Sequence, residues 1–308
     1  MIEQNPIRGV VQLRGFCISS VILFHLFPDF FLNYYIGVDL FFCLSGICLS
    51  RPLVMGGRYK PLKFLGRRFL RIVPALFVCC FFTWTLLPLF FFPWEIVEFK
   101  RYALSTLNFS IDMVLAKNLN YFGPDALINP FLHFWSVAVE LKAYLMFAVL
   151  FFFVKKKFFN EFVFVLGIVS LAKFILNDLS EDYFDFFSKI WIFLLGFFIP
   201  LITKVRWRHD FQLFEILARL ELKNYGLSLA LLLLFLVSSY LDQKIFLIAS
   251  VMIFAVLCEV CFCFKHDIGS IAGTLLAALG SWSFSLYLWH WPIYHCPKYF
   301  SIISKYCG

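Results

Sequence analysis

Long apolar runs separated by short polar or basic stretches dominate the chain. Nine of them approach the length of a membrane span: 10–27, 35–54, 72–92, 133–154, 158–176, 186–203, 225–241, 245–264 and 281–297. About 20 mostly apolar residues cross a bilayer as a helix. None of the runs shows the strict alternation of a barrel strand, so the pattern predicts an all-α, polytopic membrane bundle of about nine helices. The first run carries Arg14 and has no small-x-small cleavage site after it, which predicts a retained helix and not a removed signal peptide. The longest interruption, 93–132, ends in YFGPDALINP and predicts an outer loop with one surface helix, placed to cover an outward-facing cavity. The stretch 265–280, KHDIGSIAGTLLAALG, is weakly apolar at its start and predicts a helix on the inner surface, closed by Gly280. With no linker, repeat or low-complexity tail, residues 1–308 read as a single transmembrane domain.

Composition agrees with that pattern. Hydrophobic residues make up 62% of the 308 and charged residues 15%, with 44 phenylalanines, against about 45–50% apolar and about 25% charged in soluble domains. Most Lys and Arg fall on alternate loops: Arg8, the run Arg51–Arg71, Lys155–Lys157, the stretch 204–223 and Lys265. Cytoplasmic loops carry the basic excess, so the N-terminus is predicted inside and the acidic loop 177–185 outside. The net charge of +8 follows from the same rule and does not point to nucleic acid. The ten cysteines lie mostly within spans, as small apolar residues do. CEVCFC at 258–263 contains a CxxC with no second ligand pair at zinc spacing, so no metal is expected. Cys296 and Cys307 are expected outside, where pairing is open.

Ionisable residues inside the spans are the candidate chemistry, because each costs about 2.5–3.5 kcal/mol at a helix centre. Arg14 and His25 are eleven residues apart, three turns plus about 20°, so they share one face of the first helix about 16 Å apart along its axis. In GVDLFFCLSG, Asp39 lies in the outer third of the second span, with Gly46 on the same face and suited to close backbone approach. HFWSVAVELKAY sets His133, Ser136, Glu140 and Tyr144 on one stripe. SFSLYLWHWP aligns Ser283, Tyr287 and His290 in the same way. His25, Asp39 and Glu140 are thereby expected at one depth. RRFLRIVP at 67–74 brings Arg67, Arg68 and Arg71 to the cytoplasmic entrance of the third span, in a form suited to bidentate phosphate recognition. Plainer readings compete at each position. His25 and Arg14 would snorkel to the two interfaces. Asp39 and Glu140 would be helix–helix hydrogen bonds, and the WHW aromatics an interfacial belt.

Six segments, in order, carry a resemblance: Arg14 with His25 after ten residues, GVDLFFCLSG at 37–46, RRFLRIVP at 67–74, FWSVAVELKAY at 134–144, FLLGFFIP at 193–200 and LGSWSFSLYLWHWP at 279–292. Together they resemble the acyltransferase family 3 group of membrane O-acyltransferases, which acylate sugars of bacterial surface glycans, lipopolysaccharide included. The resemblance implies a multi-pass protein of the bacterial cytoplasmic (inner) membrane. Its donor would be a cytoplasmic acyl-CoA, with acetyl the commonest expectation and no tightly bound cofactor, and its acceptor a hydroxyl of a surface or lipid-linked glycan. On that reading Arg14, Arg67, Arg68 and Arg71 hold the CoA phosphates. His25 acts as general base, and Glu140 or Asp39 fixes its tautomer. Tyr287, His290, Ser136 and Tyr144 line the substrate side, with Tyr287 or His290 as oxyanion donor.

The sequence also departs from the family pattern. Leu141 follows Glu140 where a second acid is usual, and Lys142 replaces a neutral amide. The family usually has a tenth helix after YLWHWP, whereas this chain stops at Gly308. That predicts a partner helix or second copy completing the bundle, or a truncated, inactive copy acting as a binding partner. The competing class is a proton-coupled transporter using His25, Asp39 and Glu140 as a relay.

Overall fold

The computed structural model describes residues 8–27, 30, 35–54, 61–119, 121, 123, 126, 128–155, 157–178, 183–206, 242–264 and 271–294, and among them it is all helical. The helices are α1 (Arg8–Leu26), α2 (Gly37–Val54), α3 (Pro61–Phe90), α4 (Pro93–Leu107), α5 (Ile111–Asn118) and α6 (Phe134–Phe153). They continue as α7 (Phe159–Leu176), α8 (Phe186–Arg206), α9 (Gln243–Phe264), α10 (Ile271–Ser281) and α11 (Ser283–Tyr294). Four of the described helices are long and apolar enough to span a bilayer alone: α1, Leu62–Phe90 of α3, α6 and α7. The pair α10 and α11 makes a fifth if taken as one bent span. The expected span at 225–241, the basic stretch 207–223 and Cys296 with Cys307 lie outside the described residues.

The chain divides into two compact units: residues 1–59 with 192–283, and residues 60–191 with 284–308. The first unit is built on glycine contacts. A methyl group added at Gly15 would overlap the Leu276 carbonyl oxygen, and one at Gly280 the Val11 carbonyl oxygen, so α1 and α10 run backbone to backbone. Gly46 of α2 meets the Phe193 carbonyl in the same way, and Gly196 of α8 meets the Cys43 carbonyl. Small residues permit this approach, and van der Waals packing holds helices together where lipid supplies no hydrophobic drive. The helix expected at 265–280 is therefore observed from Ile271 onward and is docked along α1, with Gln12 Nε2 donating to the Gly273 carbonyl at 3.1 Å.

In the second unit α3 begins eleven residues before the predicted span, so the basic run lies on a helix and not in a loop. Pro61 occupies its first position, where the missing N–H costs nothing, and Leu, Lys and Arg are good helix formers. At about 1.5 Å per residue its 30 residues exceed the hydrocarbon thickness, so one end extends beyond it. The segment 93–132 carries two helices where one was expected. The Phe92 N–H donates to the Glu95 carboxylate at 2.8 Å and Pro93 opens α4, which fixes its start. The chain then turns at Phe109, whose φ of 59° is unusual for a bulky residue. Its ring lies 6.1 Å from Phe69 and 6.4 Å from Phe77, both on α3.

Candidate functional site

The predicted site residues fall into both units. In the first, Arg14 and His25 occupy α1 as the spacing requires, both half-buried, with His25 in the last turn. Asp39 stands in the first turn of α2 and is fully buried. Phe24, next to His25, packs edge-on against Tyr35 at 6.1 Å, and Asp39 acts electrostatically on the Tyr35 hydroxyl. The last turn of α1 and the first of α2 thus meet at one end of this unit. Of the basic residues inside the predicted spans, Lys142 Nζ reaches Asp112 at 2.6 Å and Lys173 Nζ reaches Asp185 at 2.8 Å. Arg14 has no carboxylate partner among the described residues. A carboxylate does hold a different arginine: Arg51, in the last turn of α2, pairs with Glu259 of α9 at 2.9 Å.

In the second unit α6 and α11 build a polar seam. Ser136 Oγ and the Tyr287 hydroxyl are 2.6 Å apart, and Tyr287 donates to the His133 carbonyl at 2.8 Å. His290 Nδ1 lies 2.7 Å from the Tyr287 carbonyl, and the His133 and His290 rings are 6.0 Å apart. The Tyr144 hydroxyl donates to Glu140 Oε1 at 2.6 Å, so Glu140, half-buried, is held within its own helix. The three arginines of α3 separate. Arg67 and Arg71 are exposed, whereas the Arg68 guanidinium lies 5.3 Å from the Phe64 ring centroid and 5.5 Å from that of Tyr144. His25, Asp39 and Arg14 therefore belong to one unit. Glu140, Ser136, Tyr144, Tyr287, His290 and the arginine cluster belong to the other.

A profile described as "Acyltransferase domain" matches residues 7–304, nearly the whole chain. The chain belongs to acyltransferase family 3. It is accordingly an integral membrane protein carrying an acyltransferase domain. It is 28% identical over 320 residues to the O-acetyltransferase OatA of Staphylococcus aureus (strain NCTC 8325 / PS 47), an alignment covering 95% of this chain and 51% of that protein. With the protein named "Putative membrane-bound transacylase BcsY" of Komagataeibacter xylinus it shares 25% identity over 306 residues, 94% of this chain and 73% of the other. The chain thus spans about half the length of OatA. No solved structure matches it.

Two glycines of the family motifs, Gly46 in GVDLFFCLSG and Gly196 in FLLGFFIP, now have a packing role where α2 and α8 meet. Lys142 stands within the motif FWSVAVELKAY, and Asp112 from α5 answers its charge. Burial pushes the Asp112 carboxyl up from its ordinary value, and the hydrogen bond and charge of Lys142 pull it back. Sequence reading missed Glu259, although a lone acid within the run 245–264 was the available signal. It lies between Cys258 and Cys261, which are buried free thiols. Among the described residues no group of three His, Cys, Asp or Glu has a metal-holding arrangement. It also missed Lys189, only 1% exposed, whose ammonium sits 3.8 Å from the Tyr183 ring centroid.

Proposed function

We propose that this chain transfers an acyl group, acetyl in the first instance, from cytoplasmic acyl-CoA to a hydroxyl of a surface or lipid-linked glycan, working in the bacterial cytoplasmic membrane. The observation that carries the reading is Arg14. A guanidinium within a span, without a carboxylate partner among the described residues, calls for an anionic ligand, and CoA phosphate supplies one. His25 lies about 16 Å further along the same face, comparable to an extended pantetheine arm, so the thioester carbonyl approaches the imidazole while the nucleotide stays near the cytosol.

A sugar hydroxyl needs a base working near neutral pH, which imidazole provides. His25 takes the hydroxyl proton as the oxygen attacks the thioester carbonyl. The C–S bond then breaks, and the departing CoA thiolate takes the proton from the imidazolium. Asp39, in the same unit and at the facing helix end, is assigned to orient His25 and stabilise its charged form, while Glu140 stays paired with Tyr144 within its own helix. The Tyr287 hydroxyl proton is committed to the His133 carbonyl and the His290 Nδ1 proton to the Tyr287 carbonyl, so neither is assigned as the oxyanion donor. Within the second unit, exposed Arg67 and Arg71 are assigned to phosphate, and Ser136 and Tyr144 to the substrate.

The test is purified protein in lipid nanodiscs with labelled acetyl-CoA and crude cell-envelope glycan. Covalent transfer that disappears in His25→Ala, with acetyl-CoA binding retained, supports the enzyme. Acetyl flux across a vesicle without transfer assigns the chain to transport, and neither signal sinks both readings.

A further inference from the structure

Asn129 sits in the outer segment just before α6 with most of its polar atoms engaged. Its N–H donates to the Ala126 carbonyl at 3.2 Å, its Oδ1 accepts from the Phe131 N–H at 2.9 Å, and its carbonyl accepts from Trp291 Nε1 at 2.9 Å. The bond from the Phe131 N–H orients the carboxamide, and the other two hold its backbone. Its Nδ2 is buried and has no acceptor among the described residues, on a side chain from a residue only 2% exposed. A buried donor without an acceptor costs about 1–3 kcal/mol, so this rigid N–H group is poised for an oxygen from outside the chain.

The surroundings indicate which oxygen. Trp291 is 6.5 Å from the His133 ring and 6.3 Å from that of His290, both centroid to centroid. The Tyr287 and Ser136 hydroxyls continue the same seam. Planar amide, imidazole and hydroxyl groups beside aromatic rings suit a neutral, polyhydroxylated ligand. None of these described residues is a lysine or arginine that would neutralise an anion, and the charge that acts on Tyr287 is the Glu140 carboxylate, which repels one. Given the acyltransferase reading above, on which this rests, we infer that Asn129, His133, Tyr287 and His290 form the acceptor subsite and select an uncharged sugar ring over an acidic one.

Saturation-transfer NMR on the full chain in nanodiscs, with cellotriose as neutral probe and trigalacturonate as acidic probe, tests this. Asn129→Asp keeps the oxygen that Phe131 uses and removes the donor. It is expected to weaken cellotriose binding about tenfold, the cost of about 1.4 kcal/mol, while acetyl-CoA affinity stays within twofold. Tyr287→Phe, which keeps the ring, gives a second reading of the same seam if the Asp variant does not fold. Cellotriose affinity unmoved in the folded variants assigns the Asn129 donor to a bound water and overturns the proposal, as does a wild-type preference for trigalacturonate. Cellotriose binding that depends on Asn129 in a protein that never transfers acetyl leaves the subsite standing and removes the enzymatic reading. Acetyl transfer unaffected by either variant does the reverse.

Discussion

Replacing Lys142 by Gln is expected to destabilise the protein more than replacing Asp112 by Asn, although both changes cut the same ion pair. Lys142 Nζ lies 2.6 and 2.8 Å from the two Asp112 oxygens, and the side chains are 27% and 1% exposed respectively. In Lys142→Gln a fully buried carboxylate loses its only cation among the described residues. Breaking a buried pair in that way costs about 3–5 kcal/mol. The lower end applies, because burial already pushes this carboxyl up and lets it take a proton. In Asp112→Asn the ammonium can turn towards water and the amide oxygen still accepts, so about 1 kcal/mol is lost. The double variant should return to within about 1 kcal/mol of the wild type, because desolvation outweighs the attraction of the pair, as the upward direction of the Asp112 shift indicates. The assay is SDS-driven unfolding in mixed micelles, followed by tryptophan fluorescence, on all four proteins. A loss of about 3 kcal/mol lowers the folding constant more than a hundredfold. Equal costs for the two single variants, adding without coupling in the double one, would refute the reasoning.

Gly15→Ala and Gly280→Ala should each separate α1 from α10, because the added methyl overlaps a carbonyl oxygen, whereas Gly66→Ala, with nothing within 4 Å, should gain about 0.5–1 kcal/mol from helix propensity. Thermal denaturation in detergent checks the contrast. Glu259→Gln leaves Arg51 half-buried without its acid and is expected to cost about 3 kcal/mol in the same SDS assay, with Arg51→Met/Glu259→Leu recovering most of it. Ser136→Ala and Tyr287→Phe share one 2.6 Å contact, so the double variant should lose about 1 kcal/mol less than the sum of the singles. Arg14→Gln should raise the KM for acetyl-CoA about tenfold or more with kcat nearly unchanged, read by steady-state transfer; a change confined to kcat places Arg14 elsewhere in the reaction.

Periodicity and composition were enough to predict a helical membrane protein. A stretch that must satisfy its own backbone in lipid has few solutions, and apolar length alone selects among them. The placement of Arg14 and His25 on one face followed from helical geometry, which needs no neighbour. The six ordered motifs were enough to suggest the family. The glycine contacts lay partly within reach, since Gly46 was already a candidate for close approach, but its partner on α8 was not, because contact between distant helices leaves no local trace.

Tertiary structure alone decided which charges cancel. Lys142 and Asp112 are 30 residues apart, and Arg51 and Glu259 are separated by 208, so nothing in the spacing couples them. It also divided a candidate set that seemed continuous along the chain between two units, and it directed Arg68 to aromatic rings while Arg67 and Arg71 stayed exposed. Sequence sets what each helix can bury. Only the packed bundle determines which polar groups find partners, because that depends on distances between segments that the covalent chain does not constrain.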